Sequence, residues 1–230
     1  VWGGIVLLIA AVFDMLDGRL ARMTRTTSDF GAQLDSLCDM VSFGVAPALL
    51  VMRSAISILR DQIEYIPIER AIWGVAAIYV ACTALRLARF NVETTQDESA
   101  HMDFRGLPSP AAAACLASMV LLFAHLYDAG YSLLPARQVL FFMSGTLPVV
   151  MLATALLMVS RFRYPHVVNQ YIRGRRPFSY LVKLVVILVA MLLEPYVTLA
   201  AVTLLYALAG PVRTGWSLLR SSKRGETNAA

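Results

Sequence analysis

The chain has 230 residues, of which 58% are hydrophobic and only 15% charged, where a soluble domain carries about 25% charged residues. Too little polar sequence remains to coat so apolar a core, which excludes a soluble globular protein. The net charge of +5 does not indicate nucleic acid either, because the basic residues collect at the ends of apolar segments, as membrane orientation signals and contacts to anionic headgroups do.

Apolar stretches long enough to cross a hydrocarbon layer of about 30 Å recur along the chain. They predict an all-α polytopic bundle with seven spans, at residues 1–23, 30–57, 68–92, 108–128, 135–160, 179–193 and 195–212. Residues 1–212 are expected to form one transmembrane domain and 213–230 a cytoplasmic tail. The sequence opens on Val1 rather than Met, close to an apolar run, so a further piece upstream is expected.

The first span carries Asp14-Met-Leu-Asp17-Gly18-Arg-Leu-Ala21-Arg22, with Asp14 and Asp17 three apart and so on one helix face. A helix break is predicted at 24–29, where Thr-Thr-Ser-Asp offers N-caps for the second span. That span carries Gly31-Ala-Gln-Leu-Asp35-Ser-Leu-Cys-Asp39, and its two aspartates again share a face. An antiparallel hairpin turning near residues 26 and 27 sets Asp14 opposite Asp39 and Asp17 level with Asp35. Charged side chains at membrane depth are costly and mark function. Four of them, about 4.5–6 Å apart along each helix, can bridge two divalent ions roughly 3.5–4 Å apart. All-carboxylate donors favour a hard ion, magnesium or manganese before zinc. Gly18, costing about 1 kcal/mol in a helix relative to alanine, fits close approach of a ligand to the backbone, with Ala21 and Gly31 helping and Arg22 within reach of a phosphate oxygen.

The third span ends in Leu85-Arg86-Leu-Ala-Arg89-Phe-Asn91, whose two arginines share one face. Pro67, Pro108, Pro135, Pro177 and Pro195 fall at or near predicted span starts, where a missing N–H is harmless. Glu194-Pro195 marks a tight connection between the last two spans. Cys38, Cys82 and Cys115 lie in apolar segments without metal-site or disulfide spacing and are read as packing residues. His101, His125 and His166 receive no role. If the turn after the first span faces the cytoplasm, that side holds sixteen basic residues against four on the other, a clear positive-inside bias. Arg161, Arg163, Arg173, Arg175 and Arg176 belong to that side as a headgroup-binding and orientation patch.

The pattern D-x-x-D-G-x-x-A-R-x8-G-x-x-x-D-x-x-x-D, from Asp14 to Asp39, resembles the signature of CDP-alcohol phosphotransferases at every fixed position. The resemblance implies that Asp14, Asp17, Asp35 and Asp39 surround two divalent cations, Mg2+ or Mn2+. It also implies that Asp17, Gly18, Ala21, Arg22 and Gly31 bind the CDP-diacylglycerol donor, and that Asp39 is the general base. Three further segments, Asp35 to Pro47, Leu85 to Asn91 and Gly106 to Ala113, resemble the membrane-embedded phosphatidylserine synthases. Serine would then be the acceptor, with Arg86, Arg89 and Asn91 as its binding residues. The same likeness implies a homodimer and a transmembrane helix ahead of the motif, while the charge bias leads to the expectation of a cytoplasm-facing site in a bacterial inner membrane. Two alternatives stay open: glycerol 3-phosphate or an inositol phosphate as acceptor, and an ion-coupled transporter, against which no second aspartate-bearing copy is found in the chain.

Overall fold

Backbone groups in hydrocarbon must be satisfied internally, which an apolar chain achieves helix by helix. The computed structural model of the protein describes residues 2–24, 29–62, 66–96, 104–128, 136–164 and 178–227, and most of these are helical. Helix α1 covers Trp2–Thr24 and α2 covers Asp29–Asp39, so the predicted break falls between them, on residues 25–28 outside the described set. A π turn, Met40–Val45, runs directly into α3, Ala46–Gln62. Then follow α4 (Ile66–Gln96), α5 (Ser109–Asp128) and α6 (Ala136–Val159). The last two are α7 (Phe178–Leu193) and α8 (Pro195–Thr227).

Five stretches among the described residues are long and apolar enough to cross a membrane: Gln33–Leu59, Pro67–Val92, Ser109–Tyr127, Leu140–Val159 and Pro195–Thr214. Two shorter apolar stretches, Trp2–Asp14 and Val182–Leu193, lie in α1 and α7. The protein is therefore a helical bundle of the integral membrane class, and each predicted span has its helix. The last helix is longer than predicted. It continues through Pro211 to Thr227, so the segment expected as a tail is helical over most of its length. Between α7 and α8 stands the single residue Glu194, whose N–H donates to Ala190 and whose carbonyl accepts from Thr198. It closes one helix and opens the next.

Helix α5 is central, packing on α1, α3, α6 and α8, while α4 lies against α3, α6 and the π turn. Ala112, Ala113 and Ala117 are buried on α5, and such small side chains let membrane helices approach closely. Larger residues fill the interior around them, among them Val51, Leu116, Leu147 and Met151. The outward Leu, Val and Trp side chains, such as Trp73, Leu156 and Leu192, form the lipid-facing surface.

The sequence did not predict a short antiparallel ladder, β1 (Phe104–Arg105) with β2 (Arg163–Tyr164), which ties the entry of α5 to the exit of α6. Gly106 follows β1 with φ +86°, and its N–H donates to the Phe162 carbonyl. A Cβ there would lie 2.3 Å from the Met158 carbonyl oxygen, so glycine is required on both counts. Tyr164 is buried and donates its hydroxyl to the Ala207 carbonyl on α8. Gly210, one turn further on, leaves room for that ring. Burial, with Tyr206 adding to it, pushes the Tyr164 phenol up to about 12, so it stays a hydrogen-bond donor at neutral pH.

Candidate functional site

Three side-chain bonds collect several helix ends at one end of the bundle. Asn91 Nδ2 near the end of α4 donates to Ser36 Oγ on α2 at 3.2 Å. Arg89 donates to the Val159 carbonyl at the end of α6, at 3.5 Å. Arg86 donates to Ser109 Oγ at the start of α5. At the opposite end, His125 near the α5 C-terminus lies 3.7 Å from Glu194 and stacks near Tyr196 at 4.7 Å. His101 and His166 lie outside the described residues.

The aspartates stand at the α2 end. Asp14 of α1 and Asp35 and Asp39 of α2 each offer an oxygen, all within 4.8 Å of one another. The hairpin register read from sequence thus brings Asp14 to Asp39. Asp39 meets the Asp14 carboxyl group at hydrogen-bond range and faces the like charge of Asp35. Its Oδ1 atom is buried without a hydrogen-bond partner, although an unmade bond there costs about 1–3 kcal/mol. Oxygen-only donors, mutual repulsion and an orphaned buried carboxylate oxygen are what a hard divalent cation relieves. The residues fit such an ion. Asp17, Gly18, Ala21 and Arg22 belong to the C-terminal half of α1, and their side chains lie outside the described residues. Gly31 is exposed in the first turn of α2.

Of the three residues expected to bind the acceptor, Arg86 faces Asp39 of the cluster. Its guanidinium attracts the Asp39 carboxylate and also faces Tyr79 and Tyr206, and its Nε is buried without a partner. An arginine placed so is not an ordinary interfacial anchor, because a cation at membrane depth needs a reason. Arg89 donates to the end of α6 and Asn91 to α2, which ties these helix ends together beside the site. Arg161 is exposed. The Arg163 side chain and residues 173, 175 and 176 lie outside the described residues.

Two residues escaped the sequence reading. Ser109, buried at the N-terminus of α5, accepts from Arg86. Its sequence signal is the segment from Gly106 to Ala113, whose resemblance to the family singles out no individual residue. Tyr79, buried on α4, donates to the Phe43 carbonyl at 3.0 Å within the π turn. It stands seven residues before Arg86 and so on the same helix face.

The fold and site thus define an integral membrane helical bundle whose converging carboxylates, beside an inward arginine at one end, fit a divalent cation. The chain belongs to the CDP-alcohol phosphatidyltransferase family, whose model matches residues 1–150. It is 37% identical over 161 residues to the CDP-diacylglycerol–serine O-phosphatidyltransferase of Helicobacter pylori, covering 70% of this chain and 59% of that protein. It is also 37% identical over 165 residues to the archaetidylserine synthase of Methanothermobacter thermautotrophicus, covering 71% and 58%. Similarity to the Methanocaldococcus jannaschii CDP-diacylglycerol–serine O-phosphatidyltransferase is 41% over 111 residues, covering 48% and 46%. The match therefore spans about three-fifths or less of each relative's length.

Proposed function

We propose that the protein transfers the phosphatidyl group of CDP-diacylglycerol to the hydroxyl of L-serine, releasing CMP and forming phosphatidylserine. The observation that carries this reading is the convergence of Asp14, Asp35 and Asp39 beside Arg86, within a chain whose relatives bear serine-transfer names. Asp14, Asp17, Asp35 and Asp39 hold two divalent cations, Mg2+ or Mn2+. When bound, these supply charge neutralisation for a pyrophosphate and its leaving group. Asp17, Gly18, Ala21, Arg22 and Gly31 receive the nucleotide part of the donor, while its acyl chains stay in the bilayer.

The serine oxygen attacks the phosphatidyl phosphorus, its proton passes to Asp39, and the bond from phosphorus to the CMP oxygen breaks. Positioning and charge stabilisation carry most of such a transfer, which suits carboxylates fixed on two packed helices. Arg86 grips the serine carboxylate in this scheme, with Ser109 holding its fork from behind and Arg89 and Asn91 shaping the rim. The site faces the cytoplasm of a bacterial inner membrane, residues 213–230 lie on that side, and the protein works as a homodimer.

The test offers the purified protein CDP-diacylglycerol and Mg2+ or Mn2+ with serine, glycerol 3-phosphate or an inositol phosphate. Phosphatidylserine and stoichiometric CMP with serine alone are expected. A glycerol or inositol lipid instead overturns the acceptor assignment, and no CMP with any acceptor overturns the reaction class in favour of a transporter.

A further inference from the structure

The segment Met40-Val-Ser-Phe-Gly-Val-Ala-Pro47 has no part in the proposed chemistry, yet it contains the π turn and the residue that accounts for it. In an α-helix the Phe43 carbonyl would accept from the N–H of residue 47. Residue 47 is proline, which has no N–H and whose ring crowds that carbonyl. The turn widens instead, and the Ala46 N–H donates to Val41, five residues back. Phe43 and Gly44 are buried, so a carbonyl short of its helical donor needs another. Tyr79 supplies it, donating its buried hydroxyl to Phe43 O at 3.0 Å. One turn along α4, Thr83 reaches the same bulge, its Cγ2 3.3 Å from where a Gly44 Cβ would stand. Arg86, on the same stripe, faces Asp39.

The phase of the helix gives the turn its consequence. Asp39 precedes buried Ala48 by nine residues, which in an unbroken α-helix is about 900°, or half a turn out of phase. Asp39 would then point away from the bundle. Six residues of π geometry take back about 100° and swing Asp39 towards the interior, where its Oδ1 is buried beside Asp14. From this we infer that Tyr79 is a positioning residue: its hydroxyl replaces the donor that Pro47 removes and locks the π turn that aims Asp39 into the carboxylate cluster. The inference rests on the cation-binding reading of that cluster.

The experiment measures Mn2+ binding to the purified full chain by electron paramagnetic resonance titration, together with thermal midpoints. Tyr79→Phe keeps the ring and removes only the hydroxyl. Its Mn2+ affinity is expected to fall about fivefold to tenfold, the effect of one hydrogen bond. Ser118→Ala is the comparison, removing a buried hydroxyl on α5 that bonds the Cys115 carbonyl and, across to α8, the Thr203 hydroxyl. It is expected to lower the midpoint by a similar amount and leave Mn2+ affinity unchanged. Wild-type Mn2+ affinity in Tyr79→Phe, or equal weakening in Ser118→Ala, overturns the positioning role alone. A wild-type protein that binds no Mn2+ removes the cation reading and this inference with it.

Discussion

Replacing Asp14 or Asp35 by Asn keeps the side-chain shape and removes one negative charge from a cluster of oxygens within 4.8 Å of one another. Divalent-ion binding is expected to weaken and turnover to fall below detection. The apo protein's midpoint should hold or rise, since like-charge repulsion is relieved. Ion titration with thermal unfolding of the same samples checks this, and a variant that kept most of its activity would contradict the metal assignment. Asp39→Asn tests chemistry more than assembly. A general base acts in the transition state, so kcat should drop about 10²- to 10⁴-fold while donor affinity changes far less. Steady-state kinetics at saturating Mn2+ separates the two. At Arg86, lysine preserves the charge but loses the planar fork that can grip a carboxylate at two points. Arg86→Lys is expected to raise the KM for serine about tenfold or more with little change for CDP-diacylglycerol, the range for hydrogen bonds to charged groups. Arg89→Lys should have a smaller effect, because Arg89 already donates to the end of α6. The reverse ranking would return the acceptor carboxylate to Arg89.

At the scale of elements, the site depends on helix ends held in place by short irregular pieces. The β1–β2 ladder and Gly106 join the start of α5 to the end of α6, next to Ser109 and therefore next to the partner of Arg86. Gly106→Ala must accommodate both a left-handed φ and a Cβ 2.3 Å from backbone oxygen. A loss of at least about 2 kcal/mol is expected, read as a lowered unfolding midpoint in detergent, with serine KM rising as Ser109 shifts. Much of this level was legible beforehand. Apolar run length and the prolines at span starts located the helices, since hydrocarbon leaves little choice of backbone. The π turn was not legible, because Pro47 next to the start of a helix ordinarily signals only a first turn. Its effect becomes visible only when Tyr79 is found 3.0 Å from Phe43.

At the scale of the whole molecule, the functional groups sort to opposite ends of the bundle. The carboxylates, the ends of α4 and α6 and the start of α5 share one end, with the α5 C-terminus and Glu194 at the other. By the positive-inside rule, sixteen basic residues against four lead us to expect the carboxylate end on the cytoplasmic side. Single cysteines labelled from either face of the full-length protein should place Thr26 and Arg175 inside and Asp61 and Tyr131 outside. Labelling of Thr26 from the outer face would reverse the model.

By itself the sequence determined the membrane class, the approximate limits of the helices, and the approach of Asp14 to Asp39 across the first hairpin. Each of these is local: hydrophobic length fixes a span, and a short connection between two helices fixes their register. The family signature is equally local, confined to Asp14 through Asp39. Only the tertiary structure decided which of Arg86, Arg89 and Asn91 turns inward, because three residues near one helix end are separated by what α2, α5 and α6 present to them. It alone showed that the Tyr164 ring occupies the space left by Gly210, and that a tyrosine on α4 completes a turn thirty-six residues earlier. Those facts depend on packing between segments distant in the chain, where neither periodicity nor spacing carries information.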